Sequence, residues 1–420
     1  MRKPSLFTLV ALCLGGALLM SCDAPEQPLA PFLAGGGGPR VVVTPSEATV
    51  PVGDTQQFVA QLVGPSGDPQ SNRQFTWSSS NTAVATVSST GLAAAVGEGS
   101  AAITATTYPF SGTALIIVVP PPPPPGTHPE GVIAGTVLLG QRPFGAAVSS
   151  LGTYHITRGD DGVARGDLPD FAFTADVTVG AGPTQVAFSP SGARSYVTNQ
   201  FSQNLGVIDV AANTQVNTIP LSGSPFYVAA SPDGGTVYVT DNAAHLYGVD
   251  AATETVRKTL TISSISNGLA FNADGSLVYA STLFSNEIVE VDARRDSVRR
   301  RIPLPGSGVL QGIAISTDGS ELYVLDQSFT MLRVLSVASG TEIAQVPLDG
   351  FDAFAVAMSP DNAQLYVALT GSGVVRVIDR ASRTIVKSIQ TGGSPRRIAF
   401  SAGGETAVIA NEAGWVDFIR

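Results

Sequence analysis

Short apolar runs alternate with clusters of Gly, Asp, Asn and Ser from residue 131 to the end of the sequence. One turn position recurs at intervals of 40 to 44 residues: Gly152, Gly192, Gly234, Gly275, Gly319, Asn362 and Gly404. Glycine adopts positive φ most easily and asparagine next, so the single replacement by Asn362 indicates that backbone geometry selects the residue. Such a repeat predicts an array of equal structural units.

Each repeat holds four short β-strands, which we call A to D. Strand A is of the type VAFSP, strand B of the type YVTN, strand C of the type GVID and strand D of the type TIVKSIQT. Four strands in about forty residues form the pattern of a propeller blade. The seven A–B segments are AAVSSLGTYHIT (146–157), VAFSPSGARSYVT (186–198), VAASPDGGTVYVT (228–240), LAFNADGSLVYAS (269–281), IAISTDGSELYVL (313–325), VAMSPDNAQLYVA (356–368) and IAFSAGGETAVIA (398–410).

The two ends of this region predict how the ring closes. The sequence stops after GWVDFIR, a strand C with no strand D behind it, whereas GVIAGTVLLGQRP (131–143) looks like a strand D that leads into strand A. We therefore expect the first strand to complete the last blade, which leaves no open sheet edge.

An acidic residue recurs near the end of strand C. An aspartate at a strand end accepts hydrogen bonds from the backbone of the following turn, so we interpret these residues as turn residues. The set is Asp209, Asp250, Asp292, Asp379 and Asp417.

Residues 40–119 have a different strand pattern. In TQQFVAQL, Phe58, Ala60 and Leu62 alternate with their neighbours, as in a half-buried strand. About seven short strands in this region indicate an Ig-like sandwich. The predicted fold class is all-β: a seven-bladed β-propeller preceded by a small Ig-like β-sandwich.

The N-terminus has the pattern of a secretory signal. Arg2 and Lys3 precede an apolar run and small residues before Cys22, so residues 1–21 are predicted to be removed. The tetrapeptide LMSC resembles the lipobox of bacterial lipoproteins, which implies lipidation of Cys22 and a membrane anchor; an ordinary cleaved signal is the alternative. Cys13 lies inside the signal, so the mature chain has no disulfide or thiolate metal site.

The remaining segments follow from composition. Residues 22–39 contain Pro and a four-Gly run and predict a flexible tether, and residues 120–130 contain six consecutive prolines and predict a semi-rigid linker. The predicted domains are therefore a lipoprotein signal peptide (1–21), a tether (22–39), an Ig-like domain (40–119), a Pro-rich linker (120–130) and the propeller (131–420).

Net charge limits the range of partners. The formal charge is −10, and removal of Arg2 and Lys3 with the signal makes it −12. An acidic chain is a poor candidate for binding nucleic acid, so none is expected as a partner.

Two family resemblances support these domains. The segment FTWSSSNTAVATVSSTGLAAAVGEGSAAITA is similar to the bacterial Ig-like group 2 (Big2) domain, with the family pattern occupied by Trp77, Val84, Val87, Gly91, Leu92, Ile103 and Ala105. Tyr196-Val197-Thr198-Asn199 gives its name to the YVTN family of seven-bladed propellers, which the 131–420 region resembles. That resemblance implies a fold and an exported location but no particular chemistry.

Candidate catalytic groups are sparse. His128, His155 and His245 occur singly, without metal-binding spacing, and no nucleophile motif is present, so we predict no catalytic residue and no cofactor. The stretch 158–170 contains a cluster of acids that could ligate Ca²⁺, but a blade that is simply longer here is the favoured explanation, so no metal is predicted. Its acids are Asp160, Asp161, Asp167 and Asp170.

The candidate ligand site is a ring at one end of the central channel. The D–A and B–C loops share one face and vary between blades, whereas the A–B and C–D turns share the other face and repeat. One position before each strand A should encircle the channel mouth, and its aromatic, amide and Arg side chains suit a ligand held by stacking and hydrogen bonds, or alternatively a plug. The ring is Phe144, Thr184, Phe226, Asn267, Gln311, Phe354 and Arg396.

The sequence thus predicts a lipid-anchored cell-envelope protein whose propeller binds a protein, glycan or small molecule beyond an Ig-like spacer. The alternative is an exported propeller enzyme, such as a lactonase or lyase, with its site on the varied face. A histidine in the channel beside a carboxylate would favour the enzyme.

The first prediction concerns the anchor. Cys22→Ala removes the only lipobox thiol, so the protein should stay unlipidated and move to the soluble fraction. Detergent phase partitioning measures this, and a variant that partitions like the unaltered protein would contradict the lipidation of Cys22.

Overall fold

The computed structural model describes residues 38–65, 68–70, 73–97, 99–119, 128–140 and 142–420. The predicted signal peptide, Cys22, the tether up to residue 37 and linker residues 120–127 lie outside the described residues. No helix among the described residues is long and apolar enough to cross a membrane.

The described residues of the first domain form ten strands in three small sheets. The sheet orders are β1-β4-β5, β2-β10-β9-β6 and β3-β8-β7, and β2 pairs with β10 in parallel. The strands are β1 Arg40–Thr44, β2 Glu47–Pro51, β3 Thr55–Gln57, β4 Val59–Val63, β5 Pro69–Gln70, β6 Thr76–Ser79, β7 Ala85–Val87, β8 Leu92–Ala95, β9 Gly99–Thr107 and β10 Phe110–Val119.

The core of this domain confirms the alternation seen in the sequence. Phe58 and Leu62 are buried, with Ile103 and Ile116 beside them. Trp77 packs against this core, and a Cβ at Gly91 would come within 2.7 Å of its indole ring. The domain contains no disulfide, so apolar packing of this kind stabilises the sandwich.

The described residues from 128 onwards form seven four-stranded antiparallel sheets, the seven predicted blades. Blade 1 is β12 Ala146–Val148, β13 Thr153–Arg158, β14 Gly162–Asp167 and β15 Ala172–Thr178. Blade 2 is β16 Pro183–Phe188, β17 Arg194–Asn199, β18 Asn204–Asp209 and β19 Thr214–Pro220. Blade 3 is β20 Pro225–Ala230, β21 Thr236–Asp241, β22 His245–Asp250 and β23 Thr255–Thr261. Blade 4 is β24 Gly268–Phe271, β25 Leu277–Ser281, β26 Glu287–Asp292 and β27 Ser297–Pro303.

The remaining blades have the same strand order. Blade 5 is β28 Leu310–Ile315, β29 Glu321–Asp326, β30 Met331–Ser336 and β31 Glu342–Pro347. Blade 6 is β32 Ala353–Met358, β33 Gln364–Leu369, β34 Val374–Asp379 and β35 Thr384–Gln390. Blade 7 is β36 Pro395–Phe400, β37 Ala407–Asn411 and β38 Trp415–Ile419, with β11 Ile133–Leu138 as its outer strand.

The ring closes as the sequence predicts. β11 pairs antiparallel with β38, from Ile133 opposite Ile419 to Leu138 opposite Trp415. The innermost strands of blades 1 and 7 also touch, as do those of every other neighbouring pair of blades. The N-terminal strand therefore covers what would be an open edge on the last blade.

A repeated residue pair shapes the wedge between neighbouring blades. In blades 2 to 6 an alanine on strand A lies opposite a tyrosine on strand B. All five tyrosines are at most 2% exposed. The small residue lies near the axis, where blades converge, and the large residue fills the wider space further out. The pairs are Ala187 with Tyr196, Ala229 with Tyr238, Ala270 with Tyr279, Ala314 with Tyr323 and Ala357 with Tyr366.

Four of the five predicted turn aspartates lie where the sequence places them. Asp209, Asp250, Asp292 and Asp379 end strand C and accept backbone N–H bonds from residues two or three positions later. The structure contradicts the turn role predicted for Asp417. It lies inside β38, buried, and accepts bonds from Thr136 Oγ1 (2.7 Å) and Trp415 Nε1 (2.9 Å), because the strand continues to Ile419.

The chain enters the propeller on the face of the A–B and C–D turns, which we call the turn face. His128 Nδ1 lies 2.5 Å from Asp361 Oδ2, in the A–B turn of blade 6. The Tyr366 hydroxyl donates to the Pro129 carbonyl (2.8 Å). The opposite face, formed by the B–C and D–A loops, is the loop face, and it points away from this attachment.

The second prediction concerns closure. Deleting 131–140 removes β11 and exposes Val416 and Phe418, both fully buried, so the free energy of unfolding should fall by about 3 kcal/mol or more. Deleting 23–39 is the control and should change it little. Thermal melts that ranked the two deletions equally would contradict the stabilising role of the β11–β38 pair.

Candidate functional site

Four phenylalanines project from the loop face. Phe201, Phe284, Phe329 and Phe351 are 76%, 65%, 56% and 63% exposed. The first three follow strand B of blades 2, 4 and 5, and Phe351 precedes strand A of blade 6. The other exposed phenylalanine of the described propeller residues is Phe173 (42%), on the outer strand β15 of blade 1, and Leu151 is an exposed apolar side chain in a turn of the turn face. Exposed aromatic residues are thus concentrated on one face.

Two of these rings are supported by glycine backbone. A Cβ at Gly182 would lie 2.6 Å from the Phe201 ring, and a Cβ at Gly371 would lie 2.5 Å from the Phe351 ring. Glycine therefore allows each ring to lie close against a neighbouring loop. A ring held in this way loses less conformational entropy when it binds.

A cleft of about 290 Å³ opens beside Phe201. Phe144, Thr184 and Phe226 of the predicted mouth ring line it, together with three residues that the sequence analysis did not single out: Arg142, Phe201 and Glu412. A polar loop that contains a lone Phe, such as NQFSQN, is the signal that could have identified Phe201.

The aromatic members of the mouth ring contact one another. Phe144 makes edge-to-face contacts with Phe226 (ring centroids 5.8 Å apart) and Phe354 (5.7 Å). The Arg396 guanidinium lies over Phe144 (5.4 Å) and Phe354 (4.7 Å). Phe354 is 7% exposed, so Phe144, Phe226 and Arg396 are the members of this group that solvent reaches.

The polar members of the ring are buried and hydrogen-bonded. Asn267 Nδ2 donates to Gln311 Oε1 (2.9 Å), and Gln311 Nε2 donates to Gln327 Oε1 (2.7 Å). Thr184 Oγ1 donates to the Phe226 carbonyl (2.9 Å). The first and third of these bonds connect neighbouring blades, and the second lies within blade 5. The structure brings the ring together at the mouth, and ligand binding by the ring stays a prediction.

Charged side chains join the mouth to the cleft. Glu412 accepts hydrogen bonds from Arg142 and from Arg396 Nε. Burial raises the pKa of Glu412, but the bonds from Arg142 and Arg396 outweigh it and hold the pKa below its usual value. At neutral pH the cleft therefore has an ionised carboxylate with an Arg on each side.

Neither candidate catalytic histidine lies in the channel. His155 is fully buried between blades 1 and 2, where it occupies the strand B position that tyrosine fills in blades 2 to 6. Its Nδ1 lies 3.0 Å from Ser195 Oγ, its Nε2 has no partner, and its ring lies 4.7 Å from that of Phe188. Burial, and then the charge of Arg165, lower the pKa of His155 to about 3.

His245 lies beside a carboxylate at the start of β22, on the loop face. Its Nδ1 is 2.7 Å from Asp241 Oδ2, which also accepts from the Tyr247 hydroxyl (2.7 Å). Asp241 Oδ1 accepts the backbone N–H groups of Ala243 and His245, both at 2.8 Å. The carboxylate therefore organises its own B–C loop.

The acidic stretch of blade 1 is not one loop. Strand β14 divides it, so that Asp160 and Asp161 lie on the loop face and Asp167 and Asp170 lie on the turn face. Asp160 pairs with Arg158 (3.1 Å), and Asp167 accepts from Thr153 Oγ1 (2.7 Å). In the described part of the chain no group of three or more His, Cys, Asp or Glu side chains could hold a metal ion. The four aspartates therefore form no common site.

Comparison with known proteins identifies the first domain. Residues 39–116 match the family model of the bacterial Ig-like domain (group 2). That domain is a Big2 domain. No curated protein matches the chain. Among solved structures, the chain is similar to Kuenenia stuttgartiensis hydrazine synthase, with a TM-score of 0.62 and 21% identity over 69% of this chain and 99% of that one. Identity this low supports the propeller fold alone, and membership of the YVTN family stays a prediction.

The third prediction follows from His155. The unfolded chain takes up a proton at this histidine near pH 6.5 but the folded chain does so only near pH 3, so stability should fall as the pH drops below 6.5. His155→Val introduces the residue that blade 7 has at this position, and it should remove this loss of stability at low pH. The quantity to compare is the free energy of unfolding of the variant minus that of the unaltered protein. Between pH 7 and pH 5 this difference should change by about 2 kcal/mol in favour of the variant.

Thermal or denaturant unfolding at pH 7, 6 and 5 measures the shift, with His245→Gln as the control that retains His155. Equal pH slopes for His155→Val and the unaltered protein would contradict the buried, neutral state of His155.

Proposed function

We propose that this is an exported, lipid-anchored binding protein that holds a protein partner on its loop face. The observation that carries the proposal is the concentration of exposed phenylalanines in the B–C and D–A loops. Aromatic residues are enriched at the energetic centres of protein interfaces, and four exposed rings on one face offer several such anchor points.

The distribution of these phenylalanines favours a macromolecule over a small ligand. They belong to blades 2, 4, 5 and 6 and so lie around the ring, and of the four only Phe201 lines the cleft of about 290 Å³. A partner that contacts several of them must span blades. The cleft beside Phe201 would then receive one side chain of that partner.

The charge of the loop face indicates the chemistry of the partner. Phe351 lies between exposed Asp349 and Asp352, and Asp161 is exposed in the B–C loop of blade 1. None of these three acids forms an ion pair among the described residues. An apolar segment that carries Lys or Arg would complement both the rings and the acids.

The path of the chain supports presentation of this face. The linker joins the propeller on the turn face, where His128 pairs with Asp361, so the loop face points away from the spacer and from the predicted anchor. Big2 domains are typically extracellular or on the cell surface. Lipidation at Cys22 would hold the assembly at the membrane, with the Big2 domain as a spacer.

An exported propeller enzyme is the second candidate, and one observation favours it. The His245 Nδ1–Asp241 pair on the loop face leaves Nε2 without a partner, which is the arrangement of a general base. However, Asp241 also serves three other donors of its own loop, and no nucleophile lies against Nε2 in the described residues. A binding function therefore accounts for more features of the loop face than an enzyme function does.

The fourth prediction tests the loop face. The full chain is screened against peptides that vary independently in basic and aromatic content, and basic, apolar peptides should bind best. Phe201→Ala with Phe351→Ala should weaken that binding at least tenfold, about 1.4 kcal/mol, while leaving the melting temperature nearly unchanged because both rings are largely exposed.

Leu151→Ala is the matched control, since it removes an exposed apolar side chain from the turn face. Equal peptide binding by the double variant, or loss of binding in Leu151→Ala, would refute the proposed face. A glycan array run with the same variants tests whether the partner is a glycan instead. Binding to glycans without binding to peptides would refute a protein partner.

A further inference from the structure

Arg397 lies one residue further along the chain than the predicted mouth ring, at the start of blade 7 strand A. At the equivalent position four blades have Gly or Ala, and the others have a Gln and a Tyr. The seven residues are Gly145, Gln185, Tyr227, Gly268, Gly312, Ala355 and Arg397. Arg397 is therefore the only charged side chain at this level of the channel.

The guanidinium of Arg397 crosses the channel. It lies 4.6 Å from the ring of Tyr227 in blade 3 and 4.7 Å from that of Phe354 in blade 6, and its Nη2 donates to the Asn267 carbonyl before blade 4 (3.2 Å). The residue is 3% exposed. Contacts with three other parts of the ring place this cation at the centre.

Arg397 lacks a counter-charge in the described structure. No carboxylate lies within ion-pair distance of it, and its buried Nε has no hydrogen-bond partner. Arg333, which is 4% exposed, shows how this fold treats another buried arginine: it pairs with Asp326 (2.9 Å) and Glu342 (3.2 Å) and donates to the Gly306 carbonyl. The contrast indicates that something else satisfies Arg397.

The group that satisfies Arg397 must accept hydrogen bonds from its guanidinium, and an anion fits best because it also balances the charge. A buried charge without a partner is strongly unfavourable, and two aromatic faces offset only part of that cost. Burial lowers the pKa of Arg397 to about 10, which leaves it protonated at neutral pH. Tyr227, whose ring lies over the guanidinium, is itself partly exposed.

We propose that the centre of the channel binds a small anion, a carboxylate or an inorganic anion, at the Arg397 guanidinium between the rings of Tyr227 and Phe354. This site lies behind the aromatic mouth and is independent of the loop-face interface. The anion would neutralise the buried charge of blade 7, while the rings of blades 3 and 6 cover the guanidinium.

The test measures anion-linked stability of the full chain. Chloride, acetate and phosphate are titrated separately at constant ionic strength, and the melting temperature is followed. At least one anion should raise it along a saturable curve. Arg397→Met should abolish that response, and Arg397→Lys should weaken the apparent affinity at least tenfold because Lys lacks the planar fork. Arg295→Met, which alters an exposed arginine of the turn face, is the control that should respond like the unaltered protein.

The three titrations distinguish the sources: a response to acetate alone assigns a carboxylate, and one to chloride or phosphate assigns an inorganic anion. If Arg397→Met does not fold, calorimetric titration of the unaltered protein with each anion still decides. No saturable response to any of the three, or a response that Arg397→Met retains, would overturn the site.

Discussion

The convergence of seven sheets on one axis is the constraint on which the rest of this propeller depends. Between two radial blades the space narrows towards the axis, so the inner strand can carry only a small residue where the next strand carries a large one. The alanine–tyrosine pairs of blades 2 to 6 fulfil this requirement, and the tyrosines are almost completely buried. In blade 1, His155 takes the tyrosine position and must stay neutral there, because burial disfavours its charged form.

Closure of the ring divides the molecule into two faces with different freedom. The turn face carries turns that every blade needs in the same form, such as the one capped by Asp250, and it also receives the linker. The loop face carries no turn that every blade needs in the same form, and the pairing of β11 with β38 closes the ring without it. Phe201 and Phe351 can therefore occupy loops that other blades fill differently, while the ring holds those loops in place.

The sequence predicted what repetition encodes and missed what single residues decide. Seven copies of one turn predicted seven blades, and an unpaired strand at each end predicted the closing pair. The prediction that Asp417 is a turn residue is wrong because no turn follows the last strand C, so the repeat pattern could not fix the alignment there. The stretch 158–170 was read as one loop because β14 contains Arg165 and Asp167 among small residues and has little apolar pattern. Arg397 was overlooked for a different reason: whether a charge is paired depends on residues from other blades, which spacing along one chain does not reveal.

Two adjacent arginines show how far position alone can change the role of a side chain. Arg396 and Arg397 both lie near the Phe354 ring, at 4.7 Å from its centroid, but only Arg396 reaches a carboxylate, Glu412. The strand pairing is irregular between Pro395 and Arg397, and here one guanidinium turns towards the solvent-exposed cleft and the other into the channel. The first is neutralised by the protein and helps to shape the surface. The second is held by aromatic faces, which attract a cation but cannot accept the directional hydrogen bonds that its N–H groups offer. A protein that evolved only to plug this channel could have used an apolar residue here at lower cost, since replacing buried charge by well-packed hydrophobic side chains is often neutral or stabilising. The buried guanidinium therefore agrees with the proposed acceptor in the channel more than with packing alone.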